Sequence, residues 1–276
     1  MITSATIKMR DEEFAELADI IYKNAGITFT INKKYLLENR LTKRLNELNF
    51  TSYKDYIYFL KYDIKRRDEL KILMNLVTIN ETYFLRERAQ MDHMIKKVIP
   101  EMVSKGKRSF KIWSAACSSG EEPYSIAMLL NEEGMYGKYN IEIYATDINT
   151  EVIAIAERGV YRSVSFRGVP PSIIDKYFTK TGLDFTLKPE IKSKVKFFQA
   201  NLMESFASSK IGVTDFIFCR NVLIYFDVEA KKKVVDMFYK TLNIGGHLYL
   251  GHSETLSKID DRFKMVNFGT GIAYVK

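Results

Sequence analysis

The feature that most constrains this chain is a change of hydrophobic rhythm near residue 105. Before it, apolar residues recur at spacings of three and four. After it, short β-rich apolar runs alternate with helical segments. Residues 10–25 carry Phe14, Leu17, Ala18 and Ile21 at helical spacing, with Gly26 placed to stop the helix. Residues 32–48 repeat the pattern with Leu37, Leu41, Leu45 and Leu48. Thr51 or Ser52 can cap a helix over 53–62. Further helices are expected over 70–76 and 89–104, the latter ending at Gly106. Downstream, 110–116, 141–146, 195–200, 215–219 and 247–250 read as strands, with helices over 123–130, 151–157 and 228–242 between them. That alternation implies βαβ units and a parallel sheet. Residues 263–266 and 272–275, split by Gly269 and Gly271, predict a closing hairpin. The stretch 161–194 breaks the alternation, with a short helix near 172–178 and a strand near 183–187, and reads as an insertion between the second and third strands. The expected fold class is therefore α/β, a doubly wound, mostly parallel sheet with a small inserted β subdomain, preceded by an all-helical domain. The boundaries expected are 1–78 for the helical domain, 79–90 for a linker and 91–276 for the α/β domain.

Composition narrows the class. With 46% hydrophobic and 28% charged residues, the 276-residue chain has the balance of a globular protein. No apolar run approaches the ~20 residues of a membrane span, so membrane insertion is not expected. Residues 1–13 show no cleavable leader. Cys117 and Cys219 both lie in apolar runs, which fits a reducing compartment and predicts a cytoplasmic protein. The net charge of +8, with twelve Lys/Arg against six Asp/Glu between Lys23 and Lys71, favours an acidic partner.

The chemistry concentrates in the turn after the first strand. The run Lys111-Ile-Trp-Ser-Ala-Ala-Cys-Ser-Ser-Gly-Glu-Glu-Pro-Tyr-Ser125 breaks from an apolar strand into small residues and then into a helix with Pro123 in its first turn. Small residues let a ligand approach the backbone, yet the G-x-G-x-x-G spacing of a dinucleotide turn is missing. Glu121 and Glu122 at the helix start would repel a pyrophosphate. A phosphate-free cofactor with a positive centre suits the turn, and S-adenosylmethionine is one. Asp147, ending the second strand 27 residues after Gly120, stands near the ~20-residue offset at which an acid takes ribose hydroxyls; capping the next helix is its alternative role. Asn201 and Leu202, then Asn221 and Val222, follow the third and fourth strands, where an adenine edge and face can be met. Turn formation and core packing are the plainer readings of those four. His93, His247 and His252 lack ligand spacing, so no metal is expected.

Four blocks in order resemble the CheR family of chemotaxis receptor glutamate methyltransferases. They are Thr78-Ile-Asn-Glu-Thr-Tyr-Phe-Leu-Arg-Glu87, Ile112-Trp-Ser-Ala-Ala-Cys-Ser-Ser-Gly-Glu-Glu-Pro-Tyr-Ser125, Phe218-Cys-Arg-Asn-Val-Leu-Ile-Tyr-Phe226 and Gly245-Gly-His-Leu-Tyr-Leu-Gly-His-Ser-Glu254. The resemblance spans essentially the whole chain. It implies S-adenosylmethionine as methyl donor, S-adenosylhomocysteine as product, and glutamates on the cytoplasmic helical region of chemoreceptors as acceptors. By position it implies that Asn80, Thr82 and Arg86 close over the cofactor, Glu122 holds its amino acid part, Asp147 the ribose, and Asn201, Leu202, Asn221 and Val222 the adenosine. Arg86 and Tyr225 would flank the transferring methyl and the acceptor. Lys33, Arg40 and Arg44, a stripe on the helix 32–48 at offsets of zero, seven and eleven, would dock the acidic receptor helix; a solvated basic edge is the plainer reading. Some family members carry a glycine-rich loop that binds a peptide at the receptor C-terminus. Here 178–188 has only Gly182, so no C-terminal pentapeptide tether is expected. A nucleic-acid methyltransferase is the competing reading from the charge, but no Asn/Asp-Pro-Pro-aromatic run follows the fourth strand and no aromatic stacking platform is evident. A non-catalytic cofactor sensor is a third.

Overall fold

The computed structural model describes residues 7–276; the reading of 1–13 as leaderless falls partly on 1–6, outside the described residues. The chain forms two compact units, Met1–Ile79 with Tyr225–Asp227, and Asn80–Ile224 with Val228–Lys276.

The smaller unit is helical. α1 (Asp11–Ala25) opens on a capping box, Glu13 accepting the Arg10 N–H at 2.8 Å, and closes on Gly26 at φ 71°. α2 (Lys34–Glu47) begins after a tighter turn at Ile31–Lys33, later than its apolar pattern suggests. Ser52 caps α3 (Tyr53–Tyr62) by accepting the Asp55 N–H. α4 (Arg66–Val77) starts four residues before the expected run because its first turn is charged, with Asp68 and Glu69 suiting the positive helix end. Leu17, Ile21, Leu37, Leu41, Leu45, Tyr53, Tyr56 and Leu73 are fully buried, each large aliphatic contributing about 1.5–3 kcal/mol. The segment Tyr225–Asp227 belongs here through an Ile27–Phe226 bridge and a Thr28 N–H to Tyr225 carbonyl bond of 2.9 Å. Nothing in its local sequence announces that pairing.

The larger unit contains β1 (Ser109–Ala115), β2 (Asn140–Asp147), β3 (Val160–Tyr161), β4 (Phe178–Thr181), β5 (Asp184–Leu187), β6 (Val195–Gln199), β7 (Thr214–Cys219), β8 (Leu242–Leu250), β9 (Lys264–Asn267) and β10 (Ile272–Val275). The main sheet runs β6-β2-β1-β7-β8-β10-β9. The first five are parallel, and β10 and β9 close the edge antiparallel. The insertion between β2 and β6 forms its own antiparallel sheet, β3-β5-β4. Its helices, in chain order, are α5 (Arg88–His93), α6 (Ile99–Ser104), α7 (Glu121–Glu132), α8 (Thr150–Arg158), α9 (Pro171–Tyr177), α10 (Pro189–Lys192), α11 (Phe206–Ile211) and α12 (Val228–Thr241). Between α5 and α6 the helix widens into a π turn over Met94–Val98, just before Pro100, which has no N–H to donate back. β8 starts at Leu242 rather than His247, and α10 and α11, too short to show a helical period, have no counterpart in the sequence pattern. Every residue from Glu121 to Leu130 is buried, so α7 lies within the core, and its first turn meets the carboxyl ends of the parallel strands.

Candidate active site at the carboxyl edge of the sheet

The β1–α7 turn is built from left-handed backbone: Ala116 at φ 67°, Ser118 at 49° and Gly120 at 91°. A Cβ on Gly120 would sit 2.8 Å from the Ala156 Cβ and 3.3 Å from Phe197, so only glycine lets the turn pack on α8. Two of the turn's N–H groups bind carbonyls, Cys117 that of Thr146 at 2.9 Å and Gly120 that of Cys117 at 3.1 Å. The Ser118 N–H donates to Asp147 Oδ2 at 2.8 Å and the Asn149 N–H to Asp147 Oδ1 at 2.9 Å. The helix cap is Asn149, whose side chain accepts from Glu151 and Val152, so Asp147 is spared that role. Each Asp147 oxygen keeps acceptor capacity beyond its one N–H, which suits a vicinal diol. Burial pushes the Asp147 carboxyl above its usual range, against the pull of those N–H groups. The Ala200 N–H binds the Asp147 carbonyl at 2.9 Å, which brings the β6 end beside the β2 end. Asn201 there shapes the next turn, accepting the Met203 N–H at 3.0 Å, and Leu202 is buried.

The two glutamates after Gly120 do different work. Glu121 takes the Ser119 hydroxyl at 2.7 Å and the Ser165 hydroxyl at 3.0 Å, tying the turn to the insertion. Burial raises its proton affinity. Glu122 takes the Ser114 hydroxyl at 2.6 Å and Arg220 Nε at 2.5 Å. Sequence reasoning counted both as uncompensated charges; Arg220 balances one of them. With Asp147 and Glu87, 3.7 Å from Arg220, four carboxylates stand against the guanidiniums of Arg86 and Arg220, so the edge remains hostile to a pyrophosphate.

Arg220 went unnoticed in the sequence, yet it was findable. All six residues of β7 are buried, and a charge immediately after such a strand needs a partner. It also donates to the Arg86 carbonyl at 2.8 Å and lies 3.7 Å from Glu87. The segment from Asn80 is held in turn by the Ser118 hydroxyl on the Asn80 carbonyl at 2.9 Å, the Leu85 N–H on Ser125 Oγ at 2.8 Å, and Phe84, buried against Tyr161, Phe166 and Phe178. Thr82 and Arg86 are half-buried. The Arg86 guanidinium donates to the Glu81 carbonyl at 3.1 Å and sits 5.6 Å from the Tyr83 ring centre. Among the described residues its fork makes no ion pair with Glu81 or Glu87, which lie near Arg167 and Arg220 instead. Asn221 adopts φ 60° after β7, with half-buried Val222 next to it.

The structure therefore gathers Asn80, Arg86, Glu122, Asp147, Asn201 and Asn221 through short bonds among neighbours along one sheet edge. Tyr225 and the basic stripe belong to the smaller unit. Within it, Arg44 forks onto Glu69 at 2.9 and 2.5 Å and Arg40 donates to the Val77 carbonyl at 2.5 Å, while Lys33 is exposed. Among the described residues, no group of three or more His, Cys, Asp or Glu is placed to hold a metal, and no helix is long and apolar enough to cross a membrane. Both cysteines are free and buried.

Comparison with known proteins agrees along the chain. Residues 12–78 match the family described as CheR methyltransferase, all-alpha domain, and residues 80–272 the CheR methyltransferase, SAM binding domain. Chemotaxis protein methyltransferase 2 of Vibrio cholerae is 36% identical over 273 residues, covering 98% of this chain and 94% of that protein. Chemotaxis protein methyltransferase 1 of Pseudomonas aeruginosa is 35% identical over 259 residues, 91% of this chain and 93% of its own. The chemotaxis protein methyltransferase of Borreliella burgdorferi is 36% identical over 258 residues, 91% and 90%. With a SAM-binding domain matched over most of its length and a doubly wound sheet that carries the matching blocks at one edge, this chain belongs to the CheR family and is an S-adenosylmethionine-dependent methyltransferase of chemotaxis.

Proposed function

We propose that this enzyme methylates side-chain carboxylates of glutamates on the cytoplasmic helical region of chemoreceptors, and that it works in the cytoplasm. The observation that carries the reading is the edge just described, where Asp147 offers spare acceptor capacity beside a left-handed turn of small residues. In this reading Asp147 holds the ribose, and Asn201, Leu202, Asn221 and Val222 the adenosine. Glu122, shared with Arg220, meets the amino acid end, and Asn80, Thr82 and Arg86 close over the donor. The sulfonium supplies an activated methyl group. An acceptor carboxylate oxygen forms the new O–CH3 bond while the S–CH3 bond breaks, and that bond's electrons stay on sulfur to leave S-adenosylhomocysteine. A glutamate is already ionised near neutral pH, so no general base is required. The protein's task is alignment, worth about 7–11 kcal/mol of barrier. Arg86, whose fork is bound only to a backbone carbonyl among its described hydrogen bonds, orients the acceptor carboxylate.

The basic α2 face meets the acidic receptor helix, with Lys33 at its exposed start as the direct contact and Arg40 and Arg44 setting the helix in place. No receptor C-terminal pentapeptide is needed. The β4–β5 connection is a two-residue turn, Gly182-Leu183, which supports that view.

The test is incubation with methyl-labelled donor and receptor-rich membranes. Base-labile label on receptor glutamates is expected, and Arg86→Ala should remove it, a loss of at least about a hundredfold. Label in nucleic acid, or none in receptors, overturns the assignment. Tight capture of the free pentapeptide overturns the tether-free reading.

A further inference from the structure

The last of the four blocks ends in Glu254, to which neither the sequence reading nor the proposed chemistry assigns a role. Its carboxylate reaches across from the end of β8 to the backbone that follows β7. Oε2 accepts the Asn221 N–H at 2.8 Å and the Gly251 N–H at 2.7 Å, and Oε1 accepts the Ile224 N–H at 3.3 Å. The approach is close enough to exclude any side chain at 251. A Cβ there would lie 2.7 Å from Asn221 Nδ2, 2.9 Å from Asn221 N and 2.9 Å from Glu254 Oε2. Asn221 itself is held at φ 60°, which costs a residue with a Cβ free energy unless its surroundings impose it. Neighbouring His252 and Ser253 are exposed, and both Glu254 oxygens are occupied by N–H groups, so this carboxylate is not set up to carry a proton for a nucleophile.

We infer that Glu254 is a positioning residue for cofactor binding: its carboxylate clamps the strained 221–224 backbone, so that Asn221 and Val222 present their side chains to the adenosine. The loop is then fixed from two sides, with Arg220 bound to Glu122 on one and residues 221–224 bound to Glu254 on the other. Glu254→Gln keeps the shape but turns an amide against N–H donors or loses the charge that holds them, whereas Glu254→Asp keeps the charge one methylene short.

The inference rests on the proposed adenosine role of Asn221 and Val222, and it is read by a measurement that needs no receptor. Calorimetric titration of the full chain with S-adenosylhomocysteine should show Glu254→Gln weakened about tenfold, within the range for hydrogen bonds to a charged group. In methyl-transfer assays the donor KM should rise in proportion, with kcat and the receptor KM within about twofold. Glu254→Asp should fall between the two, and it carries the measurement should the Gln variant not fold. In an Asn221→Gly background, which keeps the left-handed backbone and removes the side chain, Glu254→Gln should cost less than half as much on a logarithmic scale. Wild-type product affinity in the folded Glu254 variants, or a full additive loss in the Asn221→Gly background, overturns the inference. A wild-type enzyme that binds product normally but leaves receptors unlabelled overturns the acceptor assignment and leaves Glu254 standing.

Discussion

The two units bury charge in contrasting ways. In the helical unit, Glu13, Glu38 and Glu69 are buried, and each is spent on a nearby partner: Glu13 on Arg10, Glu38 on the Met9 N–H at 2.8 Å, Glu69 on Arg44 and on the Tyr56 hydroxyl at 2.9 Å. The first caps α1 on itself, and the other two staple one segment to another, at separate places. In the α/β unit, Glu121, Glu122, Asp147 and Arg220 are buried at the end where the parallel strands finish, with half-buried Glu254 beside them. Desolvating a carboxylate costs several kcal/mol unless partners replace its water. A helical bundle offsets that cost one pair at a time. A parallel sheet brings several strand ends together, so its buried charges accumulate and retain acceptor capacity that a ligand can fill. On the proposed reading the same chemistry is structural where dispersed, as it also is at Asp215, buried at the amino end of β7 and paired with Lys107 at 2.6 Å, and serves the cofactor where gathered.

Removing the cation from each arrangement tests the contrast most severely. Arg220→Met strands Glu122 and frees the Arg86 carbonyl, so it should cost about 5 kcal/mol of stability by urea titration and weaken S-adenosylhomocysteine binding at least about a hundredfold. Arg44→Met also strands a buried carboxylate, Glu69, 3% exposed against 10% for Glu122, but it removes the more solvated cation, with 20% of the Arg44 side chain exposed against 3% for Arg220, and Glu69 keeps the Tyr56 hydroxyl. It should cost about 3 kcal/mol while leaving product affinity within about twofold. A loss of product affinity in Arg44→Met would break the distinction between dispersed and gathered charge.

A smaller effect concerns pH. His247 is pushed down to about 4, mainly by burial and then by His93 nearby, and His93 is itself lowered by burial. A partly desolvated imidazole binds its proton more weakly than the unfolded chain does, so this contribution is complete above pH ~6.5 and erodes as pH falls toward 4. Between pH 7 and 4.5 the α/β unit should lose about 2 kcal/mol through His247, measured as the difference between wild type and His247→Gln. Equal slopes would show that the histidine does not carry it. The smallest effect is at the surface. Lys33→Glu should raise the receptor KM about threefold, shrinking with added salt and leaving the donor KM unchanged; an unchanged receptor KM would take the docking face away from the start of α2.

Much of the fold was legible because periodicity is local. The apolar faces Phe14-Leu17-Ile21 and Leu37-Leu41-Leu45 and the five parallel strands follow from residues close in sequence. The small-residue turn and Asp147 were legible as elements of the strand-end edge for the same reason, since a strand-end position in a βαβ unit already says which edge a residue occupies. The π turn, the early start of β8 and the short helices α10 and α11 were not, because they reflect packing more than local pattern.

What the amino-acid order determined by itself was the succession of elements, the turn chemistry after β1 and the set of residues that would stand at strand ends. Tertiary structure alone decided who pairs with whom: Glu122 with Arg220, Glu254 with Asn221, His93 with Tyr249 at 3.0 Å, Gln90 with the Leu250 carbonyl at 2.7 Å. The reason is the order of the sheet. Charge balance depends on distance in space, and the β1–β7 pairing makes neighbours of residues 104 positions apart, such as Lys111 and Asp215, which no periodic signal along the chain can encode.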